Sequence, residues 1–205
     1  MDRSVVPFGK PRGERADAVR NRERLLETAR ELIAEYGVEH VTMDGLAERA
    51  GLGKGTVFRR FGTRSGIFQA LLDAAERQFQ EQVLSGPPPL GPGADPVARL
   101  VAYGRARIAF LLANHAVARA ALDRAQPIPA GDASVSQLHI RVLLGQADVR
   151  MPSLDGLSIQ LTAALEGPLL LYLSMSGSSV PPTRDVDRLL GDSWQALVER
   201  ITATP

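Results

Sequence analysis

A short basic, glycine-rich segment, GLGKGTVFRRFGTR at positions 51–64, holds the residues of this chain that are best suited to chemistry. A glycine inside a helix costs about 1 kcal/mol relative to alanine, so the cluster of Gly51, Gly53 and Gly55 indicates a turn or a close approach of the backbone to another molecule. Two anionic partners fit such a segment: a bound nucleotide, or DNA.

The order of the residues favours DNA over a nucleotide. A phosphate-binding loop follows a strand and has the order G-x-x-x-x-G-K-[ST], whereas here the preceding GLAERA is helical in pattern and the order is K-G-T. In a helix-turn-helix, a small residue (Ala47), a turn glycine (Gly51) and an apolar residue of the second helix (Val57) allow the helices to cross closely. Gly55 has no folding advantage inside that second helix, so we predict that DNA approaches there.

Composition excludes several classes of protein. The chain has no cysteine, so disulfides and thiolate metal sites are excluded, and its three histidines (His40, His115 and His139) form no ligand pair at helical spacing. No nucleophile with a partner base stands at a spacing that would support catalysis, so we expect neither an enzyme nor a cofactor or metal. We find no signal peptide and no membrane-spanning run, so we expect a cytoplasmic protein.

The charge is unevenly distributed along the chain. The formal net charge is +1 overall, +3 over residues 1–64 and −2 over the rest. This asymmetry indicates a polyanionic partner for the N-terminal part.

Helical periodicity runs through the whole chain, and no strand pattern appears. Thr42 and Thr63 are suited to cap the second and fourth helices, and Asp95-Pro96 is a strong helix start. We predict an all-α fold of about nine helices, with a short separate helix near 116–125. The predicted parts are a flexible basic arm at 1–17, a three-helix helix-turn-helix DNA-binding domain at 18–65, and a helical ligand-sensing and dimerisation domain at 66–205.

The segment VTMDGLAERAGLGKGTVFRRFGTRSGIF resembles the DNA-binding signature of TetR-type transcriptional regulators. The motif covers about residues 20–75, and the remainder is helical in pattern and of suitable length. The resemblance implies a dimeric, ligand-responsive repressor. Two positions depart from the family pattern: Phe58 stands where tyrosine is frequent and loses a hydroxyl, and Gly53 stands where serine or threonine is frequent and removes a side-chain cap.

Residues of the helix-turn-helix are expected to contact DNA. Thr42 would cap the second helix, bind a phosphate, or do both. Lys54 and Arg59 are candidates to donate to guanine, with contact to phosphate alone as the alternative, and Arg60 and Arg64 are expected to bind phosphate or to stay solvated. The predicted DNA-binding set is Thr42, Lys54, Gly55, Thr56, Phe58, Arg59, Arg60, Thr63 and Arg64.

The basic arm has two interpretations. Lys10, Arg12, Arg15, Arg20 and Arg22 could enter the minor groove or lie along phosphates, or the segment is a disordered tail.

The last two predicted helices carry broad apolar faces that need a partner. They could form a four-helix bundle across a two-fold axis, with packing inside one subunit as the alternative. The predicted interface residues are Leu161, Leu165, Leu169, Leu190, Trp194, Leu197 and Ile201.

A ligand pocket is expected where polar or aromatic residues interrupt apolar helices. The candidates are Tyr103, Arg107, Phe110, Gln160, Glu166 and Tyr172. The sequence therefore favours a dimeric DNA-binding regulator, a repressor released from a palindromic operator by a small-molecule inducer. The alternative is a helical protein-interaction module whose helix-turn-helix is inactive.

Overall fold

The computed structural model describes residues 12–122, 135–174 and 185–203 of the chain. Within these ranges the chain forms eight α-helices and one 3₁₀ turn, and no strand. The all-helical class is thereby confirmed. The elements are α1 (Arg12–Tyr36), the 3₁₀ turn Val38–His40, α2 (Met43–Ala50), α3 (Lys54–Phe61), α4 (Arg64–Ser85), α5 (Pro96–Ala121), α6 (Val135–Gln146), α7 (Leu154–Ser174) and α8 (Val186–Thr202).

Two predicted boundaries differ from the structure. Helix α1 begins at Arg12, inside the segment that we expected to be a flexible arm. Helix α5 continues to Ala121 and absorbs most of the short helix expected near 116–125, because no glycine or proline interrupts residues 105–121. The described residues therefore contain one helix fewer than the expected nine.

Local capping explains where several helices start and end. The Asp95 carboxylate accepts from the amides of Val97 and Ala98 at 2.9 and 3.1 Å, and Pro96 occupies the first turn of α5. Gly51 ends α2 in the left-handed conformation, φ 61° and ψ 36°, which costs glycine less than any other residue.

The chain divides into two compact units, Met1–Leu71 and Leu72–Pro205, and the division falls within α4. In the first unit the core is formed by fully buried apolar side chains, among them Leu25, Leu46, Val57 and Phe68. Burying side chains of this size stabilises the fold by roughly 1.5–3 kcal/mol each. This core fixes how α2 and α3 cross.

The core of the second unit holds α5 to α8 together around Leu100, Ile140, Leu143 and Trp194. The indole Nε1 of Trp194 donates to the carbonyl oxygen of Leu100 at 3.0 Å. A Cβ at Gly104 would lie 2.0 Å from that nitrogen, so only glycine allows α8 to pack this closely on α5. No helix in the described ranges has both the length and the apolar character needed to cross a bilayer.

Candidate nucleic-acid interface

Helices α2 and α3 meet through small and apolar side chains at a glycine turn. Ala47 of α2 and Val57 of α3 are both buried. The Leu52 amide donates to the Ala47 carbonyl at 3.0 Å, and Gly51 provides the left-handed turn. This is the arrangement of a helix-turn-helix, in which the second helix enters the major groove.

The start of α2 is capped as the sequence predicts. The hydroxyl oxygen of Thr42 accepts from the Gly45 amide at 3.0 Å, and the residue is exposed. One amide of the first turn is thereby satisfied within the protein, and the others remain for solvent or an anion. Contact between Thr42 and a phosphate stays a prediction.

The outer face of α3 is open. Phe58 is half exposed, Arg59 is exposed, and no hydrogen bond or ion pair within the described residues engages the Arg59 side chain. Thr56 is partly exposed on the same helix, and a Cβ added at Gly55 would meet no atom of the protein within 4 Å. The protein itself therefore leaves room for another molecule along this face.

Lys54, the first residue of α3, forms an ion pair that the sequence did not reveal. Its Nζ lies 2.8 Å from Oδ2 of Asp44 in the first turn of α2. The juxtaposition of Asp44 with Lys54 depends on the crossing of two helices, which local sequence patterns do not encode.

Three residues of the predicted set make contacts inside the protein. Arg60 donates to the Ala18 carbonyl at 2.9 Å, and the Thr63 hydroxyl oxygen caps α4 by accepting from the Gly66 amide at 3.1 Å. Arg64 donates from Nε to the Val41 carbonyl at 2.6 Å.

The same guanidinium also uses Nη2, which donates to the Val38 and Glu39 carbonyls at 2.7 and 3.3 Å, and it lies 4.9 Å from the centre of the Phe68 ring. Contact between Arg64 and a phosphate stays a prediction. The donors of Arg64 are directed to backbone carbonyls of the connection between α1 and α2.

The predicted basic arm is only partly described. Lys10 and the side chains of Arg12 and Arg15 lie outside the described residues. Arg20 and Arg22 lie on α1, where Arg20 pairs with Asp17. Whether any of them contacts DNA stays a prediction.

The predicted pocket residues include a charged cluster in the second unit, in which Arg107 is buried and two carboxylates are partly exposed. Arg107 donates from Nη1 to Glu76 at 2.6 Å and from Nη2 to Glu166 at 3.3 Å. Its guanidinium lies 5.6 Å from the Phe79 ring centre and 5.1 Å from that of Phe110. Glu76 and Phe79 are new members, since their separation in sequence from Arg107 hid them.

The other three candidates differ in placement. Tyr103 is buried, with its ring centre 5.8 Å from that of Phe79. Gln160 is exposed, which argues against a place in a pocket, and the side chain of Tyr172 lies outside the described residues.

Unpaired polar atoms accompany this cluster. In the described part of the chain, Nε of Arg107, Nε of Arg99 and Nε2 of His139 are buried without a hydrogen-bond partner. The His139 ring lies 4.7 Å from the Tyr103 ring. Burial, and then the charge of Arg99, lower the pKa of His139 to about 4, so the imidazole is neutral at pH 7. Such unsatisfied groups are unusual in a protein core.

The predicted dimer residues fall into two groups. Leu161, Leu165 and Trp194 are buried within the subunit, which fits the alternative of packing inside one subunit, and their place in an interface stays a prediction. Leu190 and Ile201 are partly buried against the same core, and Leu197 is exposed. The side chain of Leu169 lies outside the described residues.

An apolar groove lies beside these residues. It has a volume of about 110 Å³ and is lined by Ile108, Ala164, Leu165, Leu190, Ser193, Trp194 and Leu197. No cluster of three or more metal-ligating side chains was found in the described ranges.

The packing of α2 against α3 defines this chain as a helix-turn-helix protein. The family model described as "Bacterial regulatory proteins, tetR family" matches residues 25–71, which contain both helices. Residues 25–71 therefore match the DNA-binding part of that family, as the sequence resemblance indicates.

Curated relatives match the same region. An HTH-type transcriptional regulator of Staphylococcus aureus (strain bovine RF122 / ET3-1) is 42% identical over 53 residues, which are 26% of this chain and 29% of the relative. A regulator of the same description from strain USA300 matches to the same extent. The chain thus spans less than a third of the length of the curated relatives that it matches.

Solved structures resemble the chain over nearly its whole length. A transcriptional regulator from Rhodococcus sp. Rha1 has a TM-score of 0.60 at 19% identity and covers 90% of this chain and 99% of its own. The multidrug binding protein EbrR, complexed with imidazole, has a TM-score of 0.56 at 21% identity, and the match covers 98% of this chain and 99% of EbrR. RolR, in complex with resorcinol, has a TM-score of 0.54 at 21% identity, and the match covers 93% of this chain and 97% of RolR. At these identities the likeness concerns the fold.

Proposed function

We propose that this chain is a homodimeric, sequence-specific DNA-binding transcriptional regulator, a repressor released from a palindromic operator when a small molecule binds. The DNA-binding part is residues 18–65, and the ligand and dimerisation part is residues 66–205. The observation that carries the proposal is the open outer face of α3, with exposed Phe58 and Arg59 and free space over Gly55. A major groove admits a helix with such a face.

Apolar side chains on the last two described helices support the dimer. Ile159 of α7 and Leu189 and Leu197 of α8 are exposed, and the groove lies between residues of these helices. Burying them against a second copy would place two α3 helices in one particle. Two such helices read half-sites about 34–36 Å apart, one turn of DNA, on a palindrome.

The charged cluster around Arg107 supports the proposal that the second unit binds a small molecule. EbrR and RolR are described with small molecules bound. In this chain Arg107 offers an unpaired Nε among Phe79, Phe110 and two carboxylates. The groove of about 110 Å³ is less suited, because pockets for drug-sized ligands are about 300–1,000 Å³.

A regulatory role fits the expectations about catalysis, cofactors and cellular location. The curated relatives are transcriptional regulators, and we propose that this chain has no catalytic activity and needs no cofactor. A protein that reads chromosomal DNA acts in the bacterial cytoplasm, and we propose that location.

One structural observation favours the alternative of a protein-interaction module with an inactive helix-turn-helix. Gly53 caps α3 without any side-chain hydrogen bond, so the recognition helix lacks a stabilising contact at its start. A module of this kind would bind DNA neither specifically nor with a steep dependence on salt.

The test is selection of bound duplexes from a randomised library at near-physiological salt, followed by binding to the selected DNA at several salt concentrations. We expect a palindromic motif and a steep fall of log affinity with log salt. The double variant Lys54→Ala/Arg59→Ala should lose the motif, whereas the control Arg200→Ala, which removes an exposed charge from α8, should keep it. Negligible retention of any duplex by the wild-type protein would refute the proposal.

A further inference from the structure

The ion pair between Asp44 and Lys54 lies on the two helices that face DNA in the proposed function. Their side chains are 61% and 68% exposed. An exposed pair of this kind contributes little to folding stability, because solvent and salt screen it. The ion pair's contribution to folding is therefore a weak reason for placing the Asp44 carboxylate beside the first residue of α3.

The charge of Asp44 would also oppose binding of a polyanion. A carboxylate near phosphates is repelled by them, and it is tolerated in an interface when it accepts a hydrogen bond from a base. The Asp44–Lys54 contact uses one carboxylate oxygen and one ammonium hydrogen. One oxygen and two hydrogens are left for a partner, since a lysine has three donors.

We propose that Asp44 and Lys54 together read a single G·C base pair in the major groove. This inference rests on the proposed DNA-binding function. Asp44 accepts from the N4 amino group of cytosine, and Lys54 donates to O6 and N7 of guanine.

The edge of a G·C pair matches this donor and acceptor order. In the major groove guanine presents two acceptors, N7 and O6, followed by the amino donor of cytosine. An A·T pair places a donor between two acceptors and ends in the thymine methyl group. The lysine–aspartate pair complements the first pattern, and the ion pair of 2.8 Å holds both groups close enough to contact one base pair.

The space around the pair fits such an approach. Lys54 is followed by Gly55, over which no protein atom lies within 4 Å of an added Cβ. Thr42, two residues before Asp44, is exposed and caps α2 through its hydroxyl oxygen. A groove lying against α3 at Gly55 would therefore lie next to Lys54, whose ion pair places Asp44 beside it.

The experiment compares the motifs selected by wild-type protein, Asp44→Ala and Asp44→Asn from the same randomised library. The wild-type protein is expected to prefer G·C at one position of each half-site by roughly tenfold over A·T. Asp44→Ala should lose most of that preference at this position alone, while its affinity for non-specific DNA is unchanged or higher because a negative charge is gone. Asp44→Asn should shift the position toward A·T, since an amide pairs with adenine.

A matched control removes a similar charge elsewhere in the same unit. Glu27 forms an exposed ion pair of 2.8 Å with Arg30 on α1, and Glu27→Ala should leave the selected motif unchanged. Thermal unfolding of each variant verifies that it folds. Replacing the guanine of the preferred G·C pair by inosine should leave the affinity for the selected DNA unchanged, because inosine differs from guanosine only at the minor-groove edge.

The outcomes separate this inference from the proposed function. If the wild-type protein selects a motif and both Asp44 variants select the same one, the base-reading role is overturned while DNA binding stands. If the wild-type protein selects no motif, the proposed function fails and this inference fails with it.

Discussion

Gly55 shows how the demands of folding and of binding separate at a single residue. Inside the protein nothing lies within 4 Å of an added Cβ, so the fold does not need glycine there. A glycine in a helix nevertheless costs about 1 kcal/mol relative to alanine. In the proposed function, the absence of a side chain lets DNA approach α3 closely.

Replacing Gly55 by alanine should separate stability from DNA affinity. We expect the free energy of unfolding to rise by about 0.5–1 kcal/mol, because alanine is the better helix former. Affinity for the selected operator should fall roughly tenfold, since the methyl group crowds the DNA surface. Chemical denaturation and a binding titration measure the two effects.

Gly145 provides the control for this substitution. It lies in α6, and an added Cβ there also meets nothing within 4 Å. Gly145→Ala should give a similar stabilisation and no change in DNA affinity. Equal operator affinity for Gly55→Ala and the wild-type protein would contradict the close approach.

The contacts of single residues were predictable where they are local. Thr42, Thr63 and Asp95 cap helices whose amides lie two or three residues ahead, a distance that sequence patterns encode. The contacts of Arg64 with carbonyls 23 to 26 residues earlier depend on the tertiary fold. The sequence therefore does not reveal these contacts, and the predicted phosphate contact of Arg64 rests on its positive charge.

At the scale of elements, Arg64 joins the start of α4 to the connection between α1 and α2. Its guanidinium binds the carbonyls of Val38, Glu39 and Val41 and stacks on Phe68. The Val38 carbonyl also accepts from the Val41 amide at 3.3 Å, so loss of the guanidinium chiefly deprives the Val41 and Glu39 carbonyls of a donor, which is costly where they are part-buried. Arg64 thereby holds the segment that leads into α2.

Removal of this guanidinium should destabilise the first unit. We expect Arg64→Met to lower the free energy of unfolding by about 2 kcal/mol, because part-buried carbonyls lose a charged donor. The control Arg60→Met removes one exposed hydrogen bond, to Ala18, and should cost less than about 1 kcal/mol. Denaturation followed by circular dichroism gives both free energies of unfolding. Equal decreases for the two variants would show that the carbonyl contacts of Arg64 add little to stability.

Elements were predicted more reliably than their ends and partners. Capping residues and a proline identify where α2, α4 and α5 begin, and the structure agrees. Helix α5 has no glycine or proline between residues 105 and 121, so the separate helix expected near 116–125 does not begin there. Trp194 packs against α5 within one subunit, which the sequence leaves open, since an apolar face on the last helix fits an interface or a core equally well.

At the scale of the whole molecule, the exposed apolar residues of α7 and α8 set the expected oligomeric state. Leu197 is the member of the predicted interface whose side chain is most accessible in the described residues, at 39%. A charge at this position would be buried without a partner in a dimer, which is strongly unfavourable.

Leu197→Glu should therefore dissociate the dimer. We expect its dimer Kd to rise at least about tenfold, measured by sedimentation at micromolar concentration. Leu138→Glu places the same charge on an exposed leucine of α6 and should leave the dimer intact. A wild-type protein that sediments as a monomer would contradict the dimer itself.

The position of Trp194 gives the molecule a built-in optical probe. It is the single tryptophan of the chain, its side chain is 97% hidden from solvent, and it forms part of the groove wall. Its emission wavelength and lifetime therefore report on one known location without any label. Shifts in that emission will register whatever repacks α5 against α8, whether the cause is an inducer, a second subunit or an operator.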